Sequence, residues 1–366
     1  MADTGLFIDS DEALADLVAR TSTDTIVPLD TEFVRERTYY AQLCLIQIAA
    51  PKLTACIDCL TDSDLEPLLN SLLDSRKTWL LHSARQDLEV ISQHTDRLPV
   101  RLIDSQIAAG LLGYPPQIGL QDLLHNVLDV KLDKAFARTN WAKRPLPEPA
   151  IHYALDDVRY LSELWQTLEK ELAKHDRLGW LEEDCQLALD VPLLTPPTTL
   201  WARLRGLGSL SARGKSAALS LVEWREKCAQ QLNRPRRWIL SDELLLCIAN
   251  TLPSTQGSLA SIPEMPQRFV ERFGGEILAS TANCGESERL SFVEGRLDKP
   301  RPNKNGLKRL QDASKRCAEE LGIQPEVLAT RQELVDLLVG MPSGRTAKGW
   351  RWNQLKHIVA ESLQDS

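Results

Sequence analysis

Thr25-Ile26-Val27-Pro28-Leu29-Asp30-Thr31-Glu32-Phe33 is the stretch on which the reading of this chain turns. An apolar run that closes on two carboxylates one residue apart reads as a strand. Asp30 and Glu32 then project from one face, alternating with Leu29, Thr31 and Phe33. Outward from it, Gln42–Ala49 and Leu53–Asp58 read as strands, a helix follows near Leu65–Leu73, Thr78–Leu81 is another strand, and a helix runs from about Ser83 to Gln93. This order predicts an α/β fold, a mixed sheet with helices packed on it. Pro28 cannot donate to a ladder, so the first strand is expected at a sheet edge or bulged at that point.

Adjacent carboxylates repel and raise each other's pKa unless a cation neutralises them, and oxygen-only ligation points to Mg²⁺ or Mn²⁺. The alternative for Asp30 and Glu32 is a strand-end pair making turn or salt-bridge contacts. Asp87 falls on the first turns of the helix after Leu80-Leu81-His82-Ser83, where a carboxylate is favoured by the helix dipole alone. Tyr153 and Asp157 are four residues apart and share a helical face, while Asp156 points about a quarter turn away.

At 366 residues and 43% hydrophobic content the chain has material for two or three packed domains. No run approaches the ~20 apolar residues of a membrane span, and Met1-Ala2-Asp3-Thr4-Gly5 has no basic segment leading into an apolar one. The expectation is a soluble, cytoplasmic protein without membrane attachment. The eight cysteines are scattered, as free thiols of a reducing compartment would be. Cys56 and Cys59 form a lone CxxC with no second pair, which argues against zinc or redox chemistry.

A net charge of −8 conceals an uneven distribution. Residues 1–130 hold 20 acidic and 9 basic side chains, whereas 131–144 hold one and five, 201–250 four and nine, and 299–316 one and seven. Any one basic patch reads equally as a solvated helix face; three together favour a polyanion partner.

From about residue 160 helical spacing takes over, interrupted by the proline-rich Asp190–Thr198, which reads as a domain boundary. The remainder carries a weak repeat of about 90 residues. Cys228-Ala229-Gln230-Gln231-Leu232 matches Cys317-Ala318-Glu319-Glu320-Leu321; after a one-residue insertion, Pro235, Glu243 and Leu244 match Pro325, Glu333 and Leu334. Two copies of a small helical module are expected.

The ordered set of motifs resembles the ribonuclease D family of the DEDD exonuclease superfamily. Leu29-Asp30-Thr31-Glu32-Phe33-Val34-Arg35-Glu36-Arg37-Thr38-Tyr39-Tyr40 with Leu43-Cys44-Leu45-Ile46-Gln47 is similar to the first exonuclease motif, and Asp87 fits the second. Leu132-Asp133-Lys134, Trp141, Arg144-Pro145-Leu146 and Tyr153–Asp157 resemble the third. The repeated modules resemble HRDC domains, small helical nucleic-acid-binding units. The third motif fits both branches of the superfamily, through Tyr153 or through His152; the flanking motifs and the tail belong to the tyrosine branch, leaving His152 a packing role at the helix start.

The resemblance implies a ribonuclease H-like exonuclease domain over 1–192 and HRDC-like domains over 193–281 and 282–366. It implies a 3′-to-5′ exoribonuclease in which Asp30, Glu32, Asp87 and Asp157 bind two divalent cations, Mg²⁺ or Mn²⁺, roughly 3.5 to 4 Å apart. Tyr153 would orient the attacking water, and nucleoside 5′-monophosphates would leave from RNA 3′ ends such as transfer RNA precursors and small structured RNAs, with no obligate protein partner. Phe33 is expected to stack on terminal bases or else to be core; Lys134, Arg138, Lys143 and Arg144 to border the cleft; Arg236 and Arg237, with Trp224 and Trp238 beside them, to grip a polynucleotide. Truncation after about Thr195 is expected to leave a folded nuclease. Two rivals stand beside this reading: a DNA-directed exonuclease, since the same metal chemistry attacks either backbone, and a non-catalytic RNA-binding adaptor.

Overall fold

The run Leu43-Cys44-Leu45-Ile46-Gln47-Ile48-Ala49 is buried at every position, the signature of a strand covered on both faces. The computed structural model, which describes residues 4–132, 136, 139–282, 284, 302–342 and 344–364, places it in the middle of a six-stranded sheet. The strands are β1 (Thr4–Ile8), β2 (Ile26–Val34), β3 (Gln42–Ala50), β4 (Leu53–Asp58), β5 (Thr78–Leu81) and β6 (Arg101–Asp104), in the order β1-β4-β3-β2-β5-β6. β2, β3 and β4 are antiparallel neighbours; β1, β5 and β6 join in parallel, with helices in the crossovers. The sheet is mixed, as expected. Its two edge strands, β1 and β6, were not expected, being short and weakly patterned.

β2 is not at an edge. It pairs with β5 from Ile26 to Pro28 and with β3 from Leu29 to Val34, so Pro28 lies where the strand changes partner and its missing N–H falls at the end of a ladder. The bulge in β2 lies between Glu32 and Phe33 instead.

Among the described residues eight helices accompany the sheet: α1 (Asp11–Arg20), α2 (Glu66–Leu72), α3 (Arg85–Thr95), α4 (Ser105–Leu111), α5 (Leu120–Leu128), α6 (Glu148–Arg159), α7 (Leu161–Lys174) and α8 (Leu178–Asp190). α6 lies against the sheet through Ala150, Ala154 and Val158, spaced four apart, with Leu155. The turn before α3 is held by Asp104 at the end of β6, whose carboxylate accepts from the N–H groups of Ser83 and Ala84 at 3.0 and 2.9 Å.

The described residues form two compact units. One takes in those within 1–34, 42–193 and 301–366; the other, those within 35–41 and 194–300. The second unit holds α9 (Pro197–Ala202), α10 (Ala212–Gln231), α11 (Arg236–Ile239), α12 (Asp242–Thr251), α13 (Gln256–Ala260) and α14 (Gln267–Ala282) around Trp201, Leu221, Ile248 and Ile277. Arg35–Ala41, the loop between β2 and β3, is built into it. Tyr39 donates to Glu226, and Asn233 Oδ1 accepts from the N–H groups of Tyr39 and Tyr40, both at 3.0 Å.

The first unit also contains the second helical module: α15 (Lys304–Glu320), α16 (Pro325–Leu328), α17 (Arg331–Leu338) and α18 (Gly349–Gln364). Its α18 packs on α8. The Trp350 and Trp180 rings stack 4.2 Å apart, and Asp184 receives the Arg351 guanidinium and Trp350 Nε1. The expectation of a nuclease that folds without its tail meets a buried ion pair here, with side chains 3% and 7% exposed.

The modules repeat at a constant spacing of 89 residues, without the insertion inferred from the sequence. Arg234 N–H donates to the Ala229 carbonyl as Ile323 does to Ala318, Leu232 and Leu321 are the C-cap residues of α10 and α15, and Ser241 and Thr330 cap α12 and α17. The prolines misled because proline suits both the position before a short helix and its first turn: Pro235 precedes α11, whereas Pro325 opens α16. Among the described residues no helix is long and apolar enough to cross a membrane.

Candidate active site

β2 and α6 bring three carboxylates together. Asp30, Glu32 and Asp157 each offer an oxygen, and these lie within 4.8 Å of one another. Among the described residues none of the three has a cationic partner. Burial, followed by the neighbouring charges of Asp87, Asp157 and Glu32, holds the Asp30 carboxyl well above the usual range. Burial with Asp157 and Asp87 pushes Glu32 up to about 8, and burial followed by Asp156 pushes Asp157 up to about 7. Half-buried oxygen donors that resist ionisation in one another's company form a donor set suited to a hard divalent cation.

Asp87, on the first turn of α3, stands outside that group of three. It is buried, and its Oδ1 accepts from the Thr31 hydroxyl at 2.6 Å. Burial pushes its pKa up to about 7 against the lowering effect of that hydrogen bond. Thr31 sits between Asp30 and Glu32 in sequence and was not singled out; its one signal was a polar residue on the strand face otherwise given to Leu29.

Tyr153 lies one helical turn before Asp157. Its ring stacks on Trp141 at 6.3 Å and tilts against Phe136 at 6.4 Å. Burial, then the charges of Asp157, Glu32 and Asp30, raises the phenol's pKa, so it stays protonated at neutral pH. His152, by contrast, is exposed at 64% of its side chain and faces Glu148 at 3.7 Å. A cavity of about 320 Å³ opens beside Tyr153 and Asp157, bordered by Leu132, Phe136, Pro149 and His152.

Arg144 has a structural task in place of the phosphate contact expected of it. Its guanidinium forks onto Asp58 with two 2.6 Å bonds and also donates to the carbonyls of Trp141 and Cys44. Burial alone would raise the Asp58 pKa, yet these bonds hold it below the ordinary value. The segment carrying Trp141 is thereby tied to the ends of β3 and β4, and Trp141 is in turn the wall behind Tyr153. Trp141 carries part of the third motif's resemblance, whereas nothing in the sequence around Asp58 marks it as the anchor of Arg144.

Lys143 is exposed and Phe33 half-buried just past the bulge of β2. Lys134 and Arg138 lie outside the described residues. In the helical unit Arg236 is engaged by Glu226 and lies over the Tyr39 ring at 4.9 Å, whereas Arg237 is 81% exposed with Asp242 at 3.7 Å. Trp224 is core, donating to Glu276 at 2.7 Å. The thiols of the CxxC are unpaired, and burial pushes that of Cys56 up to about 12.

A family profile described as 3′-5′ exonuclease matches residues 6–173, and one described as HRDC domain matches 216–281. Ribonuclease D of Jannaschia sp. is 35% identical over 353 residues, covering 94% of this chain and 91% of that protein. Ribonuclease D of Gluconacetobacter diazotrophicus is 34% identical over 353 residues, covering 94% and 89%. The crystal structure of Escherichia coli RNase D, an exoribonuclease involved in structured RNA processing, matches at a TM-score of 0.82 and 28% identity over 98% of each chain.

Proposed function

The chain belongs to the ribonuclease D family and is a hydrolytic 3′-5′ exoribonuclease, and from that premise we propose that Asp30, Glu32, Asp87 and Asp157 hold two divalent cations, Mg²⁺ or Mn²⁺, at the reacting phosphodiester. The observation that carries this reading is the convergence of Asp30, Glu32 and Asp157 oxygens within 4.8 Å, half-buried and without a cationic partner among the described residues. When bound, such a pair of cations would supply Lewis-acid activation of water and charge neutralisation at the departing 3′ oxygen.

The chain's own groups do the rest. Tyr153, kept protonated, donates a hydrogen bond that orients the attacking water, a role better matched to its raised pKa than that of a base. Trp141 and Phe136 fix its ring, and Arg144, anchored by Asp58, fixes Trp141 by donating to its carbonyl. Thr31 fixes Asp87. The cavity beside Tyr153 and Asp157 has the size to take the terminal nucleotide, and the products are nucleoside 5′-monophosphates. We assign the nuclease to 1–192 and HRDC-type RNA-binding modules to 193–281 and 282–366. The substrates include the 3′ trailers of transfer RNA precursors and other small structured RNAs.

The test is hydrolysis of a 3′-trailered transfer RNA, and of DNA of the same sequence, in Mg²⁺. Stepwise release of mononucleotides from the RNA is expected, absent in Asp30→Ala and reduced by about 10² or more in Tyr153→Phe, with a small effect of His152→Ala. A larger loss in His152→Ala overturns the role of Tyr153; preference for the DNA overturns the substrate.

A further inference from the structure

The two helical modules share one framework at a spacing of 89 residues, and one of their faces is used differently in the two copies. In the second copy the segment Leu321–Val327 is a docking face. Val327 is buried at 6%, its Cγ2 is 3.5 Å from where a side chain on Gly110 would begin, and its carbonyl accepts from Arg351 Nε at 2.9 Å. Gln324 Nε2 donates to the Gly113 carbonyl at 3.4 Å, and the Arg177 guanidinium donates to the Leu321 carbonyl.

At the matching positions of the first copy stand Trp238 for Val327, Arg234 for Ile323 and Arg237 for Glu326. Trp238 is 58% exposed, although the next two residues, Ile239 and Leu240, are buried just as Leu328 and Ala329 are. The fold of the module therefore does not need an indole there. Arg234 and Arg237 are exposed beside it, while Arg236 is fixed by Glu226 and Tyr39. Relative to the copy that docks on protein, this face has exchanged a small apolar contact for a large planar one and gained positive charge in place of Ile323 and Glu326.

A flat aromatic surface flanked by guanidinium groups suits a chain of planar bases on an anionic backbone. We propose that Trp238 is a stacking platform for an unpaired base of the RNA substrate, with Arg234 and Arg237 receiving the phosphates on either side. The proposal rests on the ribonuclease reading for the identity of the polyanion, and on the exposed face itself for its place.

The test is binding of a fluorescein-labelled oligo(A) of about 15 nucleotides, closed by a hydrolysis-resistant 3′ phosphorothioate linkage, to the full chain in Mg²⁺ over a range of salt. Trp238→Ala is expected to weaken binding about tenfold at unchanged salt dependence, and Trp238→Phe to keep most of the affinity. Arg237→Gln is expected to lower the salt slope by about 1. In hydrolysis of unmodified RNA the loss in Trp238→Ala falls on KM. Affinity equal to that of the parent chain in Trp238→Ala overturns the proposal. So does an equal loss in Trp238→Phe accompanied by a lower melting temperature, which marks a structural residue, or a loss of self-association at unchanged RNA affinity, which marks a protein interface. Failure to hydrolyse RNA overturns the ribonuclease reading but is scored separately, since the binding assay needs no turnover.

Discussion

The Thr31 hydroxyl donates to the Asp87 carboxylate at 2.6 Å, joining the strand of the first carboxylate pair to the helix of the second motif. Both side chains are buried, so the bond has no ready replacement in solvent. Thr31→Val keeps the shape and removes the donor, at a cost of about 1.5–3 kcal/mol for a bond to a charged group. Because the bond lowers the Asp87 pKa, its loss raises it further. The acidic limb of the pH–rate profile should therefore move to higher pH in Thr31→Val. An unmoved limb would mean that Asp87 is not among the groups that must ionise.

Gln47 is the cross-strand partner of Asp30, fully buried, and among the described residues its amide finds no oxygen or nitrogen partner, only the weakly bonding thiol of the facing Cys56. Every other residue from Leu43 to Ala49 on this strand is apolar. An unpaired buried amide costs on the order of 1–3 kcal/mol. Gln47→Leu is thus expected to raise the melting temperature of the cation-free protein while weakening Mn²⁺ binding, measured by calorimetry. Destabilisation instead would show that the amide already serves the fold.

The carboxylate cluster makes stability depend on pH in a definite sense. Glu32 at about 8, Asp87 and Asp157 at about 7, and Asp30 above its usual range all lie above unfolded values near 4. Groups whose pKa is raised on folding favour the fold in their protonated form. Their contribution is complete below about pH 4 and is lost as the pH rises through 7 to 8. Chelated protein should therefore lose stability across that window, and Mn²⁺ should raise the melting temperature more at pH 8 than at pH 6. Asp157→Asn should flatten both trends; a full Mn²⁺ effect in that variant would place the cation elsewhere.

What the sequence discloses follows from how local each signal is. β2, β3 and β4 are legible because an apolar run bounded by turns needs no partner to be recognised, and Asp30 with Glu32 or Tyr153 with Asp157 need only the period of their own element. β1 and β6 are edge strands of five and four residues, held by pairing that no window along the chain reveals. Thr31 and Asp87 are 56 residues apart, Asp58 and Arg144 86 apart, so their bonds exist only once the sheet has formed. Arg144 read as a phosphate contact for that reason. A basic residue near a catalytic motif looks alike in sequence whether it faces substrate or a buried aspartate.

The Arg351–Asp184 pair places the second helical module inside the stability of the nuclease unit. Both side chains are nearly without solvent, Asp184 also accepts from Trp350 Nε1 at 3.1 Å, and the neighbouring Glu183 accepts from the Trp350 N–H at 2.9 Å. Removing one member leaves the other charge buried and unpaired, which costs about 3–5 kcal/mol, whereas replacing both by apolar residues of similar volume is close to neutral. Arg351→Leu should lower the urea midpoint sharply, and Asp184→Leu combined with Arg351→Met should recover most of it. A chain ending near Thr195 loses the arginine, the stacked Trp350 and the Val327 contact together. It is expected to unfold at lower urea than Arg351→Leu and to expose Trp180 to quenchers. If it instead melts like the full chain, α8 holds its shape without α18, and the module is a passenger on the nuclease.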